Sequence, residues 1–222
     1  MTRSQSETFR VKMTGDYACF TRPEMKVERV SYDVMTPSAA RGVLEAVLWK
    51  PAIQWQIHQI DVLKSIRWTS VRRNEVSAIA STSSAKSAMK KGSGNLGIHI
   101  EDTRQQRAGL FLKDVAYTVH ASFRMTDKAG EGDTLVKFEQ MFRRRMEKGQ
   151  CFHRPYLGCR EFPAEFSFAD NDEIPIEESR SLGWMLLDIA FGEKENRPMF
   201  FPAEMVNGTI QVPEMHAKEV RS

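Results

Sequence analysis

The sequence is poor in features that would fix its class at a glance. It holds three cysteines in 222 residues (Cys19, Cys151, Cys159), with no Cys-x-x-Cys spacing. That argues against a disulfide framework and a zinc ribbon. Apolar runs such as Met185-Leu186-Leu187 are far too short to cross a bilayer. The start, Met1-Thr2-Arg3-Ser4-Gln5-Ser6-Glu7, lacks the apolar core of a secretory leader, so a cytoplasmic location with no membrane partner is expected. No dense cluster of Asp, Glu and His suggests a metal centre, and no cofactor is expected.

What is present is ordinary in amount and uneven in placement. Hydrophobic residues make up 41% and charged residues 27%, enough for a buried core. The net charge is only +3, yet residues 160–222 carry six Lys/Arg against thirteen Asp/Glu. The first 159 residues therefore hold +10. A basic front with an acidic tail suits a surface that meets a polyanion on one side, although uneven solvated charge is common.

Periodicity predicts the elements. Phe9, Val11 and Met13 alternate with Arg10 and Lys12, as in a half-buried strand. Thr36-Pro37 reads as N-cap and first helical residue, followed by Ala40, Val43, Leu44, Val47 and Leu48 at helical spacing until Pro51. Ile53, Trp55 and Ile57 mark a second strand, and Val115 to Phe123 a third. Asp133 is expected to cap a second helix with the stripe Leu135, Phe138, Phe142 and Met146; Phe162, Phe166 and Phe168 begin another strand.

The order β-α-β-β-α-β predicts an α+β chain with a ferredoxin-like, RRM-like N-terminal domain. Its two helices can cover one face of the sheet, leaving the other for cover or for binding. Short apolar runs between Leu182 and Val212, punctuated by Gly and Pro, predict a small antiparallel β-rich C-terminal part. The division is set at 1–160 and 161–222. Residues 73–97, rich in Ser, Ala, Lys and Gly, read as a mobile basic loop.

Three groups of segments together carry a resemblance. The first is Gly15-Asp16-Tyr17-Ala18-Cys19-Phe20-Thr21 with Ser31-Tyr32-Asp33-Val34-Met35-Thr36-Pro37. The second is Leu48-Trp49-Lys50-Pro51 with Gln105-Gln106-Arg107 and Leu112-Lys113-Asp114-Val115-Ala116-Tyr117. The third is Cys151-Phe152-His153-Arg154-Pro155-Tyr156-Leu157-Gly158-Cys159-Arg160-Glu161-Phe162. In this order they resemble the fifth family of CRISPR-associated proteins, in its type I-C branch. The resemblance implies a metal-independent endoribonuclease that cleaves precursor CRISPR RNA within the repeat, leaves a 2′,3′-cyclic phosphate and retains the 5′ handle of the guide. It implies CRISPR repeat RNA and other subunits of a type I-C interference complex as partners. A non-catalytic handle-binding scaffold is the alternative. A sequence-independent binder of nucleic acid, duplex DNA included, is a third.

Metal-free cleavage needs a base for the 2′-OH, cations for the phosphorane and an acid for the leaving oxygen. The resemblance leads to reactive groups at positions where this chain has Leu48 and Gln106-Arg107, so candidates come from the rest of the chain. Arg107, His99, His153 and Tyr156 are the catalytic candidates. His58 and His120 fall on polar strand faces, and a lone histidine is often structural. Nine Lys/Arg face only Glu75, Glu101 and Asp102 between residues 64 and 107. Of these, Arg72, Arg73, Lys86, Lys90, Lys91 and Arg104 are read as RNA contacts. Arg143 and Arg144 are added from the basic last turn of the second helix, which also suits simple dipole capping. Arg160 is added from the Leu157-Gly158-Cys159-Arg160 turn, where glycine would let backbone approach phosphate or simply form a turn.

Overall fold

Thr36 opens the first helix as its side chain predicts. In the computed structural model, which describes residues 4–25, 27–191 and 195–222, its hydroxyl accepts from the Ala39 amide at 3.3 Å. Helix α1 (Pro37–Val47) then buries Ala40, Val43, Leu44 and Val47 along one stripe. Strands β1 (Phe9–Ala18) and β2 (Ile53–Val62) flank it in sequence. Between them in space runs β4 (Arg104–Met125), 22 residues long and antiparallel to both.

Helix α4 (Leu135–Glu147) buries Phe138, Phe142 and Met146. Its cap is Thr134, whose side chain accepts from the Lys137 amide, and not the expected Asp133. Asp133 instead accepts from the Gly130 amide and pairs with Lys137 at 2.8 Å. Phe142 meets the rings of Phe9 and Trp55 edge-on at 4.8 Å, and Trp55 meets Phe123 at 5.1 Å. Each such pair adds about 0.5–1.5 kcal/mol beyond area burial. Strand β5 (Glu165–Phe168) pairs with β1.

The C-terminal strands β6 (Arg180–Phe191), β7 (Asn196–Val206) and β8 (Thr209–Gln211) are antiparallel, as their punctuated apolar runs suggest. Strand β8 hydrogen-bonds β2, so the sheet runs β5-β1-β4-β2-β8-β7-β6. Arg41 of α1 fixes β6 through a bidentate pair with Asp188, at 2.8 and 2.6 Å.

The segment read as a loop at 73–97 is built largely of strand and helix instead. Strand β3 (Trp68–Val76) pairs with the first nine residues of β4, and helix α2 (Thr82–Lys91) and the single turn α3 (Ile100–Thr103) complete the connection. Ser81 caps α2 by accepting from the Ser84 amide, and Gly92 ends it at φ +69°. No residue of α2 is buried. The arm is polar on both sides, so neither the strand period nor the helix period shows in its apolar residues.

Candidate nucleic-acid interface

The last carbonyls of α1 each need a partner, and finding them shapes a groove. The Ala46 carbonyl accepts from the Phe152 amide at 2.8 Å. The Val47 carbonyl accepts from Arg145 Nη1 at 2.6 Å, and the Leu48 carbonyl from Trp55 Nε1 at 2.9 Å. Leu48 itself is fully buried, so its position in the apolar stripe offers no reactive group. The chain then turns out into solvent and leaves Trp49 62% exposed, followed by Lys50 and Pro51.

Helix α4 ends beside this point. Gly149 takes φ +60°, the Gln150 amide returns to the Arg145 carbonyl at 2.8 Å, and the Gly149 amide to Met146 at 3.1 Å. The following loop carries Phe152, 91% exposed, and then His153 and Tyr156. Trp49, Lys50, Arg145, Phe152, His153 and Tyr156 line one open groove. The rings of His153 and Tyr156 stand 6.1 Å apart. Glu45 also lines the groove, but its carboxylate pairs with Arg41 at 2.7 Å. Cations, an imidazole, a phenol and two exposed rings thus share one concavity.

Of the four residues expected to be catalytic, His153 and Tyr156 are brought together here. Arg107 and His99 lie outside the groove, on the arm of β3, α3 and β4. His99 is the exposed residue before α3. Arg107 donates from Nη1 to Glu75 at 3.1 Å and from Nη2 to Gln105 at 3.1 Å. Arg73, opposite it in register, pairs with Glu75 and Glu161 and lies over the Phe111 ring at 5.2 Å. Arg29 pairs with Glu161 at 2.9 Å and reaches Cys159. The thiol hydrogen bond from Cys19, then Thr21 and the Arg29 charge, hold the Cys159 thiol below the ordinary range, against burial, which raises it. These ion pairs commit Arg73 and Arg107 to carboxylates of their own chain.

The remaining basic residues differ in availability. Arg72, Lys86, Lys90, Lys91 and Arg104 are exposed along the arm, and Arg144 and Arg160 are exposed outside it. Arg143 pairs with Glu7 at 2.6 Å and lies over Phe9 at 5.4 Å, a structural contact. Gly158, at φ +83°, sits where an added Cβ would come 2.1 Å from the Cys19 carbonyl oxygen. Close packing on the chain's own backbone accounts for that glycine without any phosphate.

The sheet face opposite α1 and α4 is polar, and most of its side chains pair with one another. Lys12 pairs with Glu173 at 2.5 Å, and Thr118 donates to Glu173 at 2.7 Å. His120 pairs with Asp61 at 2.7 Å, and His58 bonds Ser122 at 2.6 Å, with Gln5 packed on both. Burial would raise the Asp61 carboxyl, but hydrogen bonds from His120, Gln59 and Thr209 outweigh it and hold it below the usual range. Burial pushes the His58 imidazole down. The rings among these side chains are the imidazoles of His58 and His120, and each is already engaged, with Ser122 and with Asp61.

Sequence reasoning named His153 and Tyr156 but not Trp49, Lys50, Phe152 or Arg145. The available signal was a tryptophan at the end of a helical stripe, directly before Lys-Pro. Among the described residues no three His, Cys, Asp or Glu side chains cluster as a metal would need, and no helix is long and apolar enough to cross a membrane.

Residues 8–213 match the family model described as CRISPR-associated protein (Cas5), in its Cas5d form. A protein of Mannheimia succiniciproducens named CRISPR pre-crRNA endoribonuclease Cas5d is 56% identical over 220 residues, covering 96% of this chain and 97% of that one. Its namesake from Thermus thermophilus is 41% identical over 229 residues, covering 95% and 93%. A crystal structure of a CRISPR-associated protein superposes with a TM-score of 0.71 at 19% identity, covering 98% of both chains, a likeness of fold.

Proposed function

Since the chain belongs to the Cas5d branch of the CRISPR-associated Cas5 family, we propose that it is an endoribonuclease that cuts precursor CRISPR RNA within the repeat, in the groove between α1 and α4. The observation that carries the placement is the convergence of His153, Tyr156, Lys50 and Arg145 on that groove.

The reaction follows from those groups. His153 takes the proton of the 2′-OH, the 2′-oxygen bonds to phosphorus, and the bond from phosphorus to the 5′-oxygen breaks. A 2′,3′-cyclic phosphate forms, and Tyr156 gives its proton to the departing 5′-oxygen. Lys50 and Arg145 offset the charge that builds on the phosphorane. No step requires a metal ion. His99 is read as an outlying RNA contact, with Arg72, Lys86, Lys90, Lys91 and Arg104 along the arm, while Arg107 stays tied to Glu75. Arg160 and Arg144 extend the basic surface.

The N-terminal part is read as ferredoxin-like, and the strand order β5-β1-β4-β2 with α1 and α4 packed on its apolar face supports that reading. Strand β5 belongs to that sheet although it lies beyond residue 160, so the smaller β-rich part is read as β6 to β8, joined through β8 on β2. Membership of the type I-C branch further implies that the 5′ handle stays bound and that other subunits of an interference complex dock.

The deciding experiment incubates the purified chain with a repeat-hairpin RNA in EDTA. A discrete product at the 3′ base of the hairpin, ending in a cyclic phosphate, is expected. Its absence would leave a handle-binding scaffold.

A further inference from the structure

We propose that Trp49 and Phe152 hold an unpaired nucleobase of the RNA beside the scissile phosphate, so that the groove selects a flipped or single-stranded nucleotide at the cut. This rests on the reading of the groove as the cleavage site and names what that site recognises.

Exposure carries the first step. Large rings are normally buried, and an exposed ring needs a reason. Phe152 is 91% exposed and Trp49 62%. Trp184 lies under Arg221 at 5.0 Å and Tyr17 packs on Phe162 at 6.1 Å, while Trp68, 38% exposed, stands at the start of β3 and does not line the groove.

Preorganisation carries the second. Trp49 directly follows the buried Leu48, whose carbonyl is held by Trp55, and Phe152 is pinned through its own amide to Ala46. The backbone at or beside both rings is therefore anchored at one helix end, so the ordering cost on binding falls mainly on the two side-chain rotamers.

Charge carries the third. Lys50 and Arg145 line the same groove, and its one lining carboxylate, Glu45, already pairs with Arg41. Rings beside cations suit a base attached to phosphates, and single-stranded RNA is held by that combination. An apolar protein partner would leave those cations unmatched. The imidazoles of His58 and His120 on the polar sheet face are held by Ser122 and Asp61, so stacking falls to the free rings of this groove.

The test uses the whole chain and a repeat hairpin with a 2′-deoxy nucleotide at the cut, so that affinity is read without cleavage. Trp49→Ala should weaken binding by about 5- to 150-fold, the range for losing one base stacked on a ring. Trp49→Phe should recover most of it. Hairpins made abasic at each nucleotide flanking the cut should show one position with a similar loss. On that abasic RNA, Trp49→Ala should cause no further loss.

Losses that multiply at every abasic position would overturn the inference. So would Trp49→Ala and Phe152→Ala variants that bind as tightly as wild type, a result that would assign the rings to a protein partner. Failure of the cleavage reading is seen separately, as wild-type protein that binds this hairpin but leaves the unmodified one uncut. Wild-type protein that binds neither hairpin would overturn both.

Discussion

Arg145 of α4 donates from Nη1 to the Val47 carbonyl oxygen at the end of α1, 2.6 Å away. The contact joins two helices, answers a helix-end carbonyl and puts a fixed cation at the negative end of a helix dipole. It also holds the arginine at the edge of the groove that Trp49 and His153 line.

Arg145→Ala should therefore cost about 1–3 kcal/mol, the loss for a charged hydrogen bond whose partner is left behind. Urea unfolding should show a lower midpoint with an unchanged slope. A midpoint equal to wild type would mean that water replaces the guanidinium without cost.

His153→Ala should lower the cleavage rate by about 10²- to 10⁴-fold, the usual worth of a positioned acid or base. Affinity for an uncleavable hairpin should not change. Tyr156→Phe should show the same separation, because it removes the phenolic proton and keeps the ring. Single-turnover cleavage at saturating protein measures both. Full activity in both variants would move the chemistry elsewhere.

Asp61 makes stability depend on pH. Its folded pKa is held below the unfolded value, so its contribution is present above about pH 4 and is lost as pH falls through the depressed folded value. Asp61→Asn should destabilise the protein at pH 7 by about 1–3 kcal/mol. That difference should shrink on acidification below about pH 4. Thermal melts of both proteins from pH 7 to pH 2 would show it, and a constant difference would dismiss the charge as the cause.

Charge reversal at Lys90 and Lys91 tests the arm. Both side chains are exposed on a helix that buries nothing. If each meets a phosphate, the slope of log K against log salt should fall in magnitude by about 1.4–1.8 for the pair. Binding measured across salt concentrations gives that slope directly. An unchanged slope would remove α2 from the RNA path.

Alternation in Phe9–Met13, the cap at Thr36 and the stripe of α1 were legible in sequence because each depends on neighbours within a turn or a strand. The short C-terminal runs were legible as antiparallel strands for the same reason. The arm was not: the covered side of β3 carries the half-buried Arg73 and Glu75 in place of apolar residues, and α2 buries nothing, so no apolar period exists to read. Asp133 lost the cap to Thr134 by one residue, a choice between two good capping side chains that only backbone geometry settles.

The site divides along the same line. Residue types alone singled out His153 and Tyr156, since few side chains can move a proton near neutral pH. Their neighbourhood came from contacts across about a hundred residues: Phe152 to Ala46, Arg145 to Val47. The charge count likewise gave Arg73 and Arg107 as free cations, and only the folded chain set Glu75 and Glu161 against them. Local order is written in adjacent residues, so the sequence by itself determined the elements and the supply of reactive groups. Which groups meet, and which cations are already spent on carboxylates, depends on pairing at long range, and that was decided by the tertiary structure.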